Sequence, residues 1–164
     1  MPSPLPTTTE SANTSSAAPA CFRHVRLPAF PEAVRAARRW TRETLEDWQL
    51  TNPTRTIEQL VSELLTNSIE HARTTSVGIC LSSGVSGGRP PLADTTTDQT
   101  VLIEVNDSDA ARLPTRKSPS LNDTSGRGLL IVEELSDRWG VQVSDHGKTV
   151  WCEVAILRAN SWPG

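Results

Sequence analysis

Two hydrophobic periodicities alternate along this chain, and their order restricts the fold more than any other feature. Val101, Ile103 and Val105 repeat every second residue within 100–106, the mark of a strand with one buried face. Val77, Ile79 and Leu81 do the same within 76–81. In contrast, Ile57, Leu60, Val61, Leu64, Ser68 and Ala72 recur at steps of three and four across 57–72. Val34, Ala37, Thr41, Leu45 and Trp48 recur in the same way across 31–48. Both stretches are amphipathic helices with one inward stripe. Pro31 suits the first turn of the earlier helix, and Thr56 can cap the later one. Residues 22–27 read as a short strand before Pro28, and 128–137 as a third helix. Residues 141–144 and 149–156 form a hairpin that turns at 145–147. Strands joined by hairpins pair antiparallel. The expected fold class is therefore α/β, a two-layer α/β sandwich whose mixed, mostly antiparallel sheet carries three helices on one face.

The core-forming residues are confined to part of the chain. Of 36 Leu, Ile, Val and Phe residues among 164, only Leu5 falls in the first twenty. Residues 1–20 bury too little to offset their ordering entropy and are expected to be a disordered tail. Residues 21–158 make one domain, with 159–164 a short C-terminal tail. The stretch 82–99, rich in Gly, Pro, Thr and Ser, reads as a long hairpin excursion, and 108–125 as a long polar loop of the kind that is functional or mobile. No apolar run approaches the roughly 20 residues of a membrane helix, and the N-terminus lacks the basic and apolar regions of a signal peptide. Cys21, Cys80 and Cys152 are odd in number and far apart, which fits neither a disulfide framework nor a zinc pattern and points to a reduced, cytoplasmic protein. A net charge of -3, from 16 basic and 19 acidic residues, gives no support to non-specific nucleic-acid binding. Arg35, Arg38, Arg39 and Arg42 make a cationic ridge opposite the first helix's stripe. It is either a solvated face or a docking surface for an acidic partner. A small DNA-binding regulator using that ridge is a remote alternative, which the acidic balance opposes.

Chemistry-bearing residues gather in three places. Glu63, Asn67 and Glu70 share one face of the second helix, with His71 at its edge. A carboxylate and an amide oxygen one turn apart suit Mg2+ or a Mg2+-bound water, and a carboxylate there can orient or deprotonate a nucleophile. An ordinary polar helix face explains the same residues. Asp107 ends a strand where the long loop begins, placed to accept a hydrogen bond from an adenine amino group or simply to form a turn. Gly126-Arg127-Gly128 precedes the apolar run Leu129-Leu130-Ile131-Val132. Paired glycines before a helix N-terminus let backbone N–H groups meet phosphate, although Gly-x-Gly alone also marks a tight turn.

Taken in order, these segments resemble the GHKL ATPases, the Bergerat-fold group of gyrase, heat-shock chaperone, histidine kinase and mismatch-repair ATPases. Glu63-Leu64-Leu65-Thr66-Asn67-Ser68-Ile69-Glu70-His71-Ala72 is similar to the family's N box, and Val105-Asn106-Asp107 to its first G box. Ser125-Gly126-Arg127-Gly128-Leu129 is similar to the second G box, and Gly147-Lys148-Thr149-Val150-Trp151 to the closing strand. Within the group, the Gly-Arg-Gly-Leu block followed by Asp137-Arg138-Trp139-Gly140 resembles the short anti-sigma-factor serine/threonine-protein kinase branch. The resemblance implies ATP and Mg2+ as cofactors, with Asn67 the Mg2+ ligand and Glu63 the catalytic base or its water-positioner. It implies nucleotide binding by His71, Asp107, Gly126, Arg127, Gly128, Leu129 and Thr149, with Asp107 reading adenine and Thr149 assisting. The loop 108–125 becomes a nucleotide lid in which Arg112, Arg116 and Lys117 are candidate phosphate contacts. The implied activity is phosphorylation of an anti-sigma-factor antagonist together with sequestration of a sigma factor. A homodimer is compatible with this, and neither nucleic acid nor membrane is among the implied partners. In one respect the sequence departs from the pattern. Asp107 is followed by Ser108-Asp109-Ala110-Ala111 instead of glycines, which keeps open a nucleotide-binding partner-switch module with little or no kinase activity.

Overall fold

The structure, a computed structural model, describes residues 21–50, 52–84, 99–114 and 127–156. The expected tails over 1–20 and 159–164, the middle of the 82–99 excursion, and Arg116, Lys117 and Gly126 lie outside these residues. Eight elements follow in order: β1 (Cys21–Pro28), α1 (Ala33–Asp47), α2 (Thr54–His71), β2 (Ser76–Gly84), β3 (Thr100–Asp107), α3 (Gly128–Leu135), β4 (Arg138–Ser144) and β5 (Gly147–Ala155). They are the expected elements in the expected sequence. The strands form one open sheet in the order β1-β2-β3-β5-β4, and all four pairings are antiparallel.

Register explains which residues form the core. Ile79 lies opposite Val105, Leu81 opposite Ile103, Val105 opposite Val150 and Ile103 opposite Cys152. Partners across an antiparallel pair share a face, so these residues form one apolar surface. The helices cover it with Ala37 and Leu45 of α1, Ile57, Leu60, Val61, Leu64 and Leu65 of α2, and Val132 of α3. The result is the two-layer α/β sandwich read from the periodicities. Cys152 lies in this core, and burial pushes its thiol up to about 12. No helix among the described residues is long and apolar enough to cross a membrane.

Local details differ from the sequence reading at two points, and a third lies outside it. Thr56 does not cap α2. The helix begins at Thr54 after Pro53, without a side-chain cap, and Thr56 lies within its first turn. The arginine ridge is not wholly free. Glu58 of α2 is buried, and Arg42 Nε and Nη2 donate to its two oxygens at 2.7 and 3.1 Å, with Arg38 Nη2 at 3.8 Å. This bidentate pair joins α1 to α2, and Glu58 holds the Arg42 guanidinium above its ordinary value. Finally, α1 ends without glycine. Leu50 N–H donates to Leu45 O at 2.8 Å and Gln49 N–H to Glu46 O at 2.9 Å, a Schellman arrangement with Gln49 left-handed at φ 59.

A side chain at that angle is strained, whereas glycine is not. Gln49→Gly is therefore expected to raise stability by about 0.5–1 kcal/mol, the relief of strain outweighing the greater entropy of the unfolded chain. Urea unfolding of the variant beside the parent chain measures it.

Candidate functional site

The candidate site lies along α2. Glu63, Asn67 and His71 fall four residues apart on one face of the helix, and each is half-buried. Gln59, one turn before Glu63, donates from Nε2 to Glu63 Oε1 at 2.6 Å. The other oxygen abuts the start of α3, because a Cβ on Gly128 would lie 3.0 Å from Glu63 Oε2. Asn67, one turn further along α2, thus belongs to the side of the molecule where α3 begins. Arg127 is the exposed N-cap of α3, and its side chain makes no capping hydrogen bond to the helix. The N–H groups of its first turn have no acceptor within the helix and form a ready anion site. Leu129 and Val132 are buried and seat α3 on the domain.

At the other end, Asp107 and Lys148 face each other across β3 and β5. Lys148 Nζ donates to Asp107 Oδ1 at 2.8 Å and to the Asp109 carbonyl at 3.1 Å, with the two side chains 3% and 0% exposed. Asp107 Oδ1 also accepts the Asp109 N–H at 3.0 Å. Asp107 Oδ2 is buried and has no hydrogen-bond partner among the described residues. An orphaned buried acceptor costs about 1–3 kcal/mol, which a donor on a ligand would recover. The amino group of a nucleobase is such a donor, so the residues present fit a nucleotide.

The backbone turns beyond Asp107 without glycine. Asp107 accepts the N–H of Asp109, and Asp109 Oδ1 accepts the N–H of Ala111 at 3.2 Å, giving two successive Asx turns. Asp109 Oδ2 takes the Arg73 N–H at 2.8 Å, and Arg112 lies 3.8 Å from the same oxygen and 3.5 Å from the His71 carbonyl. The segment is thereby strapped to the C-terminal end of α2. The Arg73 N–H above all, then the Ala111 N–H and the Lys148 charge, hold the Asp109 carboxyl below its ordinary value against the opposing effect of burial.

The remaining predicted residues fall as follows. Thr149 pairs in register with Asn106 and Gln142, on the face of the sheet away from Asp107, and it is Lys148 that stands beside the acid. Arg112 belongs to the strap. His71 lies 3.8 Å from Glu70. An open recess of about 290 Å3 at the strand ends is lined by Asn106, Asp107, Gly147, Lys148 and Thr149 among others. A larger one of about 760 Å3 runs along Arg35, Arg38, Arg39 and Arg42. Its walls are mainly arginine side chains without an amide or an orphaned acceptor, so chemistry and not size locates the site. Sequence reasoning missed Lys148, Gln59 and Asp109. Strand parity was an available signal for Lys148, which alternates with Val150, Cys152 and Val154.

With this geometry in place, comparison with known proteins gives the class. Residues 27–153 match the model of the histidine kinase-like ATPase domain, and the chain belongs to that family. Among solved structures, the RsbU and RsbW domains of Rv1364c from Mycobacterium tuberculosis are similar at a TM-score of 0.54 and 19% identity, over 84% of this chain and 33% of that one. The histidine kinase domain of the blue-light activated EL346 from Erythrobacter litoralis follows at 0.40 and 17%, over 79% and 62%. AdeS of Acinetobacter baumannii follows at 0.34 and 12%, over 83% and 68%. At these identities the likeness concerns fold alone, and the chain spans about a third of the mycobacterial chain it matches. No curated protein matches the chain.

Two outcomes follow from the Asp107 end of the site. Gly147 has φ 148, and a Cβ there would collide with the Asp107 carbonyl. Gly147→Ala is expected to cost about 2–3 kcal/mol in urea unfolding. Asp109, held low in the folded state, contributes stability that is fully present above the unfolded carboxylate value and is lost as pH falls through the lower folded one. Asp109→Asn is expected to flatten the stability profile below about pH 4 and to leave its shape at neutral pH unchanged.

Proposed function

We propose that the chain is an ATP-binding regulatory protein that transfers the γ-phosphoryl group of ATP to a Ser or Thr hydroxyl of a small antagonist protein, and that it sequesters a sigma factor or similar partner. The observation that carries this reading is the approach of the Glu63 carboxylate to the start of α3 at Gly128, one turn from Asn67. A carboxylate, an amide and a helix N-terminus then converge where phosphates need charge neutralisation and a nucleophile needs a base. The orphaned Asp107 Oδ2 supports a base-binding end, with the strap and α2 between the two.

In this reading the first-turn N–H groups of α3 and Arg127 hold the phosphates. Among the described residues no cluster of three or more His, Cys, Asp or Glu side chains suits a metal. A Mg2+ ion would be held by the Asn67 amide oxygen and by the phosphates, and would neutralise their charge. Glu63, kept in place by Gln59, accepts the proton of the attacking hydroxyl as its oxygen bonds to the γ-phosphorus, and ADP leaves with the electron pair of the broken bond. Sequestration of a partner is supported by the likeness of fold to a structure that includes an RsbW domain, and the arginine ridge suits an acidic surface.

A second reading has its own support. The segment after Asp107 is held by two Asx turns and the Arg73 contact in place of freely turning glycines. A clamp of this kind favours a module that keeps its nucleotide intact.

Incubation with labelled ATP, Mg2+ and antagonist proteins that bind the chain separates the two. Under the first reading, label reaches a Ser or Thr of the antagonist. Glu63→Gln then lowers transfer by about 10²–10⁴-fold while nucleotide affinity stays near that of the parent. Asn67→Ala is expected to remove the Mg2+-dependent part of nucleotide affinity. Undiminished ATP after hours with partner favours the second reading, and a chain that binds no nucleotide overturns both.

A further inference from the structure

We propose that Lys148 is a second reader of the nucleobase and that the Asp107–Lys148 pair admits guanine as well as adenine nucleotides. This rests on the nucleotide site proposed above. It concerns a residue whose role there is otherwise unassigned.

The argument starts from valence. Lys148 carries three N–H donors. Among the described residues two have partners, Asp107 Oδ1 and the Asp109 carbonyl, and the third has none. Asp107 Oδ2 is an acceptor without a donor among the described residues. The pair therefore offers one unfilled acceptor beside one unfilled donor, on two side chains that are nearly inaccessible to water. Lys148 is not placed as a phosphate arm. Its ammonium is tied down at the base acid, and phosphates would lie at the start of α3.

A purine edge presents the complement. Adenine sets the N6 amino donor next to the N1 acceptor. Guanine sets the N1–H donor next to the O6 acceptor. A lone carboxylate answers only the donor and leaves O6 unpaired, or repelled by the negative charge, in a buried site, and such a site rejects guanine strongly. Here the ammonium neutralises the carboxylate and can donate a charge-assisted hydrogen bond to O6. The basis for rejecting a 6-oxopurine is thereby removed. Because the O6 carbonyl is the better acceptor for an ammonium, guanine has more to lose than adenine when Lys148 is replaced.

Equilibrium titration of the full chain with ATP, GTP and ITP in Mg2+ tests this. ITP carries the same N1–H and O6 edge as GTP without the 2-amino group, so it isolates the contact. In the parent chain GTP and ITP are expected to bind within about tenfold of ATP. Lys148→Met keeps the length of the side chain and removes the donor, and it is expected to weaken GTP and ITP at least about tenfold more than ATP. A parent chain that binds ATP but takes GTP and ITP more than about a hundredfold more weakly would overturn the proposal, and this arm does not depend on any variant folding. An unchanged ratio in a folded Lys148→Met would overturn it as well. If none of the three nucleotides binds, the nucleotide site itself fails, a result distinct from selective binding of ATP.

Discussion

The structure depends on the division of labour around one helix. α2 buries Ile57, Leu60, Val61, Leu64 and Leu65 against the sheet and its neighbouring helices, and it carries Glu63, Asn67 and His71 on an adjoining face. Burial of five such side chains contributes on the order of 10 kcal/mol before entropy is counted. The polar row is therefore positioned by the same packing that holds the domain together. Glu58 extends this logic to the opposite side, where its buried carboxylate fixes α1 through Arg42. A change on the sheet-facing stripe of α2 would be felt at both its polar faces.

The end of β3 shows how a chain meets a geometric demand with unexpected residues. Glycine would allow a sharp turn after Asp107 by tolerating unusual backbone angles. This sequence instead uses the carboxylates of Asp107 and Asp109 as local acceptors, each capturing the N–H two residues on. Asp107 Oδ1 consequently serves the turn and Lys148 together, leaving Oδ2 as the acceptor that faces no donor among the described residues. Under the proposed function, turn formation and ligand reading would be shared between the two oxygens of one side chain.

Much of this was legible in the sequence, because it depends on periodicity. The stripe of α2 and the alternation of β2 and β3 gave the layers, and the spacing of Glu63 and Asn67 gave a shared face. The turn chemistry at 145–147 gave the last hairpin. What periodicity could not supply was pairing between distant segments. Thr149 and Lys148 are neighbours in sequence, and only the register of β5 against β3 decides which of them meets Asp107. The Arg42–Glu58 contact likewise needs the packing of α1 on α2, since a ridge of arginines looks the same whether solvated or engaged. Gln49 in a left-handed conformation gave no sequence signal, because that position is usually glycine.

The crowding at Gly147 has a mechanical consequence. Its backbone is pressed so closely against the Asp107 carbonyl that no side chain fits between them, and the adjacent Lys148 ties the same two strands by charge. One end of the proposed site is thus built into the hydrogen-bonded sheet. The other rests on an eight-residue helix seated by Leu129 and Val132 alone among its buried residues. In the nucleotide site proposed above, a firmly paired sheet end would stand opposite a helix held by two buried side chains, so adjustment to the charge state of a guest would be taken up by α3 while the sheet keeps its shape.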